Sequence, residues 1–205
     1  MLSWHTFGFF LMTNFILSLT PGPAVMLVTG HSLANGWRRS QFSVLGIMSG
    51  NATYCLLSAL GLGTLFVRLP ILVTVVKGVG ALYLIWIGLR SLMHSNAALV
   101  PASEQPRATP FALYRQALVL QLSNPKSVLF FCALLPQFVP PGVPAILPML
   151  ALGLCAIVLE YPVLTSYSLL GDRTRRFMSS PLATHSLNVL AGGLLIAAAG
   201  RVASL

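Results

Sequence analysis

Polar and charged positions cut the chain into six long apolar stretches, at residues 7–29, 42–66, 71–93, 116–139, 145–170 and 185–203. Each is long enough to cross ~30 Å of hydrocarbon as a helix rising ~1.5 Å per residue. The pattern predicts an all-α integral membrane protein with six transmembrane helices. The opening stretch MLSWHTFGFF lacks a basic leader region, and its apolar run continues past two prolines, so it reads as the first span rather than a signal peptide.

One stretch is linker-like. Residues 95–112 are rich in Pro, Ala and Ser, and too polar to be embedded. They separate a first repeat at 1–94 from a second at 113–205, within a single transmembrane domain. Each repeat has three spans, an odd number, so the two halves are expected in opposite orientation.

Composition agrees with a membrane class. Of 205 residues 56% are hydrophobic and 7% charged, where a soluble domain carries roughly a quarter charged. The net charge of +9 would suit a nucleic-acid partner in a soluble protein. Here the basic residues are scattered without an aromatic-basic stripe, so no nucleic acid is expected. They read instead as topology signals. Arg38, Arg39, Arg90, Arg107, Arg115, Arg173, Arg175 and Arg176 fall at one set of loops, against Arg68, Arg201 and a snorkelling Lys77 at the other. Positive residues mark the cytoplasmic side, which puts both termini outside. Cys55, Cys132 and Cys155 lie in apolar runs with no ligand spacing, so neither a disulfide framework nor a zinc site is expected. His5, His31, His94 and His185 sit near segment ends and read as interfacial residues. No metal and no cofactor are called for.

Two interruptions stand out. LTPGP at 19–23 breaks the first stretch, and SNPKS at 123–127 breaks the fourth. Each lies in the first helix of its half. Pro21 is ~21 Å along its helix and Pro125 ~15 Å beyond Arg115, so both fall near mid-membrane. A proline removes a helical hydrogen bond and obstructs a carbonyl one turn back. Freed backbone groups survive at that depth only if buried in protein or lining a wet cavity. Ordinary proline kinks are the plain alternative. Paired breaks in inverted halves, with polar Thr20, Asn124 and Lys126 beside them, point to a substrate site.

Two opposite charges lie deep in spans. Lys126 is ~16 Å from Arg115, and Glu160 ~18 Å from Asp172, which gives them similar depth. Such groups are functional candidates by default, although a fixed ion pair holding two helices is also consistent. Asn51, Gln121, Ser127, Tyr161 and Tyr167 offer neutral partners for a small zwitterion. Half-helix N-termini after Pro21 and Pro125 would favour its carboxylate. Glu160 would hold the ammonium or carry a proton. The GxxxG of Gly46 and Gly50 reads as a close-packing face.

With these residues in view, the chain resembles the LysE-type amino-acid exporter family, and within it the homoserine/threonine (RhtB) branch. The matching stretches are LSLTPGPAVMLV, GIMSG, GLGTLF, VKGVGALYLIWIGL, NPKSVLFFCALLPQF and LNVLAGGLLIAAAG, in order along nearly the whole chain. The resemblance implies a cytoplasmic-membrane exporter of amino acids or close derivatives, driven by an ion gradient, and not an enzyme. Pro21, Gly22, Asn124, Pro125 and Lys126 match its motif positions, and Glu160 its intramembrane acid. The lysine-exporting branch tends to carry an acid after the GxxxG. Here Asn51 stands there, which favours a neutral substrate.

The resulting expectation is a proton antiporter of homoserine, homoserine lactone or threonine. Its substrate site would use Thr20, Pro21, Gly22, Asn51, Asn124, Pro125, Lys126 and Tyr161, with Glu160 for proton coupling. Its partners are the amino acid, protons, the lipid bilayer and a second copy of the chain. Alternatives are an exporter of leucine, cysteine or basic amino acids, a passive channel, a membrane-embedded enzyme and an assembly subunit. A channel needs a continuous polar stripe, and an enzyme a nucleophile with a base or metal cluster; neither pattern is evident.

Overall fold

The computed structural model describes residues 4–19, 22–61, 108–139 and 144–177, with scattered helical positions at 71–89 and 193–197. Among the described residues six continuous helices are placed: α1 (Trp4–Leu19), α2 (Pro23–Asn35), α3 (Trp37–Ala59), α4 (Pro110–Leu122), α5 (Pro125–Phe138) and α6 (Ile146–Phe177). Among the described residues there is no strand. The third and sixth apolar stretches lie almost wholly outside the described residues. Those described at 71, 74, 75, 78, 82, 85, 86 and 89 are helical and exposed.

Two helices, α3 and α6, are long and apolar enough to cross a membrane alone. The others form bent pairs, α1–α2 at 50° and α4–α5 at 58°. The helices run beyond the apolar stretches that announce them. Helix α6 reaches Phe177, past the apolar limit at 170, and α3 takes Arg38 and Arg39 into its first turn. Hydropathy marks only the part of a helix in hydrocarbon, so its polar ends are invisible to it. The connection from α2 to α3 is the single residue Gly36, at φ 85°, a left-handed conformation that glycine adopts without a Cβ penalty.

Helix α3 is central and packs on α2, α4 and α6. The GxxxG face explains its closeness to α4. A Cβ on Gly46 would run into the Tyr114 carbonyl oxygen, and one on Gly50 would lie 2.8 Å from Gln121 Cβ. Small and hydroxyl side chains join α2, α3 and α6 in the same way. Ser32 donates to the Ser168 carbonyl at 2.5 Å, and Ser40 bonds Ser168. A Cβ on Gly171 would lie 3.2 Å from Ser32 Cβ. His31 belongs to this seam. It is buried and its Nδ1 meets Ser43 Oγ at 2.7 Å, so it packs within the seam.

Two apolar clusters occupy the interior. One gathers Val28, Val44, Ile47, Leu120 and Leu164. The other gathers Phe10, Tyr54, Phe131, Leu135, Leu152 and Ile157, with Phe10 edge-on to Phe138 at 5.1 Å. Along α3, Asn51 falls between Ile47 of the first and Tyr54 of the second. Along α6, Glu160 falls between Ile157 and Leu164. A polar layer is thus held between two apolar ones.

Candidate functional site at the crossing of two broken helices

The breaks must first dispose of their own backbone groups. Helix α4 ends at Leu122 and α5 starts at Pro125, which pushes Asn124 into extended geometry (φ −83°, ψ 110°). The Asn124 side chain then caps α5, its Oδ1 accepting from the Lys126 N–H at 3.1 Å. The N–H groups of Ser127 and Val128 reach the Asn124 carbonyl at 3.1 and 3.2 Å. The expected free N–H groups at this break are therefore already taken, because asparagine is itself a cap. At the other break α2 starts at Pro23 behind extended Gly22. Its first intrahelical bond is from Met26 to the Gly22 carbonyl, 3.0 Å, and Ala24 and Val25 line the cavity described below. By helix geometry the N–H groups ahead of that first bond have no intrahelical acceptor.

Carbonyl ends are met by side chains from other helices. Lys126 Nζ donates to the Leu17 carbonyl, and the Tyr167 hydroxyl to that of Leu19 at 3.1 Å; both carbonyls belong to the last turn of α1. The Tyr54 hydroxyl does the same for Leu122 at the end of α4. Each is a group that hydrocarbon could not satisfy.

Between the breaks lies one cavity, lined by α1 (Asn14, Ser18), α2, α3 (Asn51), α4 (Gln121), α5 (Lys126) and α6 (Glu160). Its volume is about 40 Å³, room for a few waters at ~10–15 Å³ or more each and too little for an amino acid. Asn51 Nδ2 donates to Glu160 Oε2 at 2.5 Å. Gln121 Nε2 donates to Asn51 Oδ1 and to Ser127 Oγ, both at 2.6 Å. Asn124 Nδ2 donates to Gln121 Oε1 at 3.2 Å. The site therefore holds an amine, a carboxyl and several amides around a small space. Such a set matches a zwitterion, with an acceptor for an ammonium and donors for a carboxylate.

Of the residues singled out from sequence, Gly22, Asn51, Asn124, Lys126 and Glu160 line this cavity. Pro125 is buried as the first residue of α5. Thr20 and Pro21 lie outside the described residues. Tyr161 does not join the site. It is 41% exposed, because one residue beyond Glu160 is ~100° further round a helix. Asn14 and Ser18 are cavity residues that sequence reasoning passed over. Both are buried on α1, 5% and 9% exposed, and Asn14 Nδ2 donates to the Ala156 carbonyl at 3.4 Å. Their signal was a four-residue spacing of polar positions inside an apolar run, one face of a helix.

The family profile described as LysE type translocator matches residues 15–204. The chain is 33% identical over 195 residues to a homoserine/homoserine lactone efflux protein of Salmonella typhi, covering 95% of this chain and 94% of that one. It is 30% identical to a membrane protein of Vibrio cholerae, over 94% and 93% of the two chains. With a leucine efflux protein of Klebsiella pneumoniae it shares 29% over 96% and 93%. No solved structure matches. Broken helices around a charged cavity, and a family match across nearly the whole length, lead to one assignment: this chain belongs to the LysE family of amino-acid efflux proteins.

Proposed function

We propose that the protein exports a small neutral amino acid or derivative, such as homoserine, homoserine lactone or threonine, from the cytoplasm by proton antiport. The observation that carries this reading is the convergence of both helix breaks on one cavity that holds Lys126 and Glu160. Broken helices at mid-membrane are how transporters present binding groups in a low-dielectric medium. The relative from Salmonella typhi, named for homoserine and homoserine lactone efflux, supports the substrate class, as does neutral Asn51 beside Glu160. The leucine efflux relative supports a second reading, in which the cargo is a larger apolar amino acid.

In the proposed mechanism the substrate ammonium is held by Glu160. The substrate carboxylate of homoserine or threonine, or the ester carbonyl of the lactone, is held by Lys126 and the N–H groups at the start of α2. Binding would draw Lys126 from the Leu17 carbonyl and widen the 40 Å³ cavity. Release of the substrate outside lets Glu160 take up a proton, and the protonated carboxyl permits the return to the inward state. The moving parts are two inverted three-helix halves. Each half begins with a broken helix followed by a long one, α1–α2 with α3 and α4–α5 with α6. Both termini are outside, in the cytoplasmic membrane. The test is efflux from vesicles loaded with a panel of labelled amino acids, with and without a pH gradient. Saturable efflux of homoserine or threonine against its own gradient, driven by an opposed proton gradient, is expected. Flux that only follows the substrate gradient would mean a channel, and transport restricted to leucine would mean the second reading.

A further inference from the structure

The amides of the site form a chain with a direction. A backbone N–H can only donate, so the Lys126 N–H fixes Asn124 with Oδ1 toward it, 3.1 Å away. Asn124 Nδ2 then faces the other way and meets Gln121 Oε1 at 3.2 Å. That leaves Gln121 with Nε2 pointing away from the cap, where its two hydrogens go to Ser127 Oγ of α5 and Asn51 Oδ1 of α3. Asn51 must accordingly turn Nδ2 toward Glu160 Oε2, at 2.5 Å. Every link donates in the same sense, from the α5 cap to the carboxylate. An amide side chain can otherwise present either end, and here the choice is made three residues away, at the helix break.

We infer that Gln121 is a positioning residue of the transport site, which passes the orientation of the α5 cap to Asn51 and so sets the hydrogen bond that Glu160 receives. The amide is buried, 2% exposed, and Gln121 Cβ lies against Gly50 of α3, which brings it within reach of Asn51. Both of its hydrogens and its acceptor oxygen are used, one hydrogen by Ser127 and the other two positions by the chain. Opening of the cap at Asn124 would remove the fixed donor and free Asn124 and Gln121 to turn over. An ionised Glu160, which can only accept, would still hold Asn51 Nδ2, and only a protonated carboxyl could accommodate Asn51 Oδ1 instead. The charged groups around Glu160 are Lys126 on α5 and no other described cavity residue. The chain is therefore the route by which backbone geometry at the break reaches the carboxyl. This deepens the exporter reading and rests on it only for the role of Glu160.

A spectroscopic test does not require transport. The sequence has two glutamates, Glu104 and Glu160. In a Glu104→Gln background, protein made with carboxyl-13C glutamate and placed in liposomes reports Glu160 alone by infrared difference spectroscopy. Asn51→Ala removes the donor directly and gives the reference band shift. Gln121 acts on Glu160 only through Asn51, and Gln121→Met is expected to shift the same band in the same direction. Asn124→Ser keeps a cap oxygen for the Lys126 N–H but has no amide hydrogen for Gln121, and it is expected to follow. In efflux assays both variants are expected to raise KM by about fivefold, one hydrogen bond's worth, with a smaller change in kcat. A Glu160 band that moves in Asn51→Ala and stays in place in both Gln121→Met and Asn124→Ser would overturn the inference and leave Gln121 a packing residue against Gly50. If one of the two fails to insert, the other decides by the same criterion. Failure of the exporter reading would abolish the kinetic arm and leave the infrared arm standing.

Discussion

Residue by residue, the site is an accounting of backbone and charge. Lys126 closes the end of α1 through the Leu17 carbonyl, while Glu160 accepts from Asn51. The two charges face one cavity, and each has a neutral partner of its own. That arrangement separates two roles for the carboxyl. Glu160→Gln keeps shape and hydrogen bonding but cannot ionise. As a proton carrier it is expected to lose gradient-driven efflux by at least about tenfold, equivalent to ~1.4 kcal/mol, while exchange between two substrate-loaded compartments persists. Combining it with Lys126→Met removes both charges. Full pH-driven transport by that double variant would reduce Glu160 to a structural partner of Lys126. These positions were legible in the sequence because a lysine, an acid or an asparagine inside an apolar run is costly and so conspicuous. Asn14 and Ser18 were not conspicuous, since neutral polar residues are common in spanning helices. Tyr161 looked apt by type, but only its place on the face of α6 decides whether it reaches the cavity.

At the scale of elements, proline and glycine set the geometry. Pro125 both starts α5 and forces Asn124 into the extended form that caps it. Pro125→Ala restores an N–H and relieves the residue before it, so α4 is expected to run on into α5 and close the 58° bend. The expected outcome is inserted protein with efflux at background. Normal efflux would show that the bend is not part of the site. Gly46 tests the packing face independently. Its closest approach is to the Tyr114 backbone, which cannot rotate away as a side chain would. Gly46→Leu is expected to cost about 1–3 kcal/mol through overpacking, read as a lower Tm of purified protein. The analogous change at Gly78, described as exposed with open space around it, is expected to leave Tm unchanged. Both breaks and the GxxxG face could be read from sequence because proline and glycine act locally. The bend angles could not, since they depend on which helix supplies the missing hydrogen-bond partners.

Across the whole molecule, the arginine pattern becomes a geometric statement. The turn at Gly36, the start of α4 and the end of α6 meet at one end of the bundle. Asn35 Oδ1 accepts from the Ala108 N–H at 2.9 Å, Arg39 donates to the Ala108 carbonyl at 3.2 Å, and the Trp37 N–H donates to Asp172 Oδ1 at 3.4 Å. Arg38, Arg39, Arg115 and Arg173 therefore gather on the same side, whereas the start of α1 packs near Phe138 at the other, with Phe9 and Phe138 rings 6.0 Å apart. The positive-inside rule predicts that the arginine end is cytoplasmic. Single cysteines in a background lacking the native three decide it. Ala34 and Thr174, both exposed, mark the arginine end, and exposed Ala145 marks the opposite one. In intact cells, Ala145→Cys is expected to react with a membrane-impermeant thiol reagent, and Ala34→Cys and Thr174→Cys only after the membrane is opened. The reverse pattern would invert the molecule and, with it, the direction in which substrate and proton are proposed to cross. Concordant labelling of Ala34→Cys and Thr174→Cys is required in either case, because the hydrogen bonds through Asn35, Trp37 and Asp172 tie their helix ends to one side of the membrane.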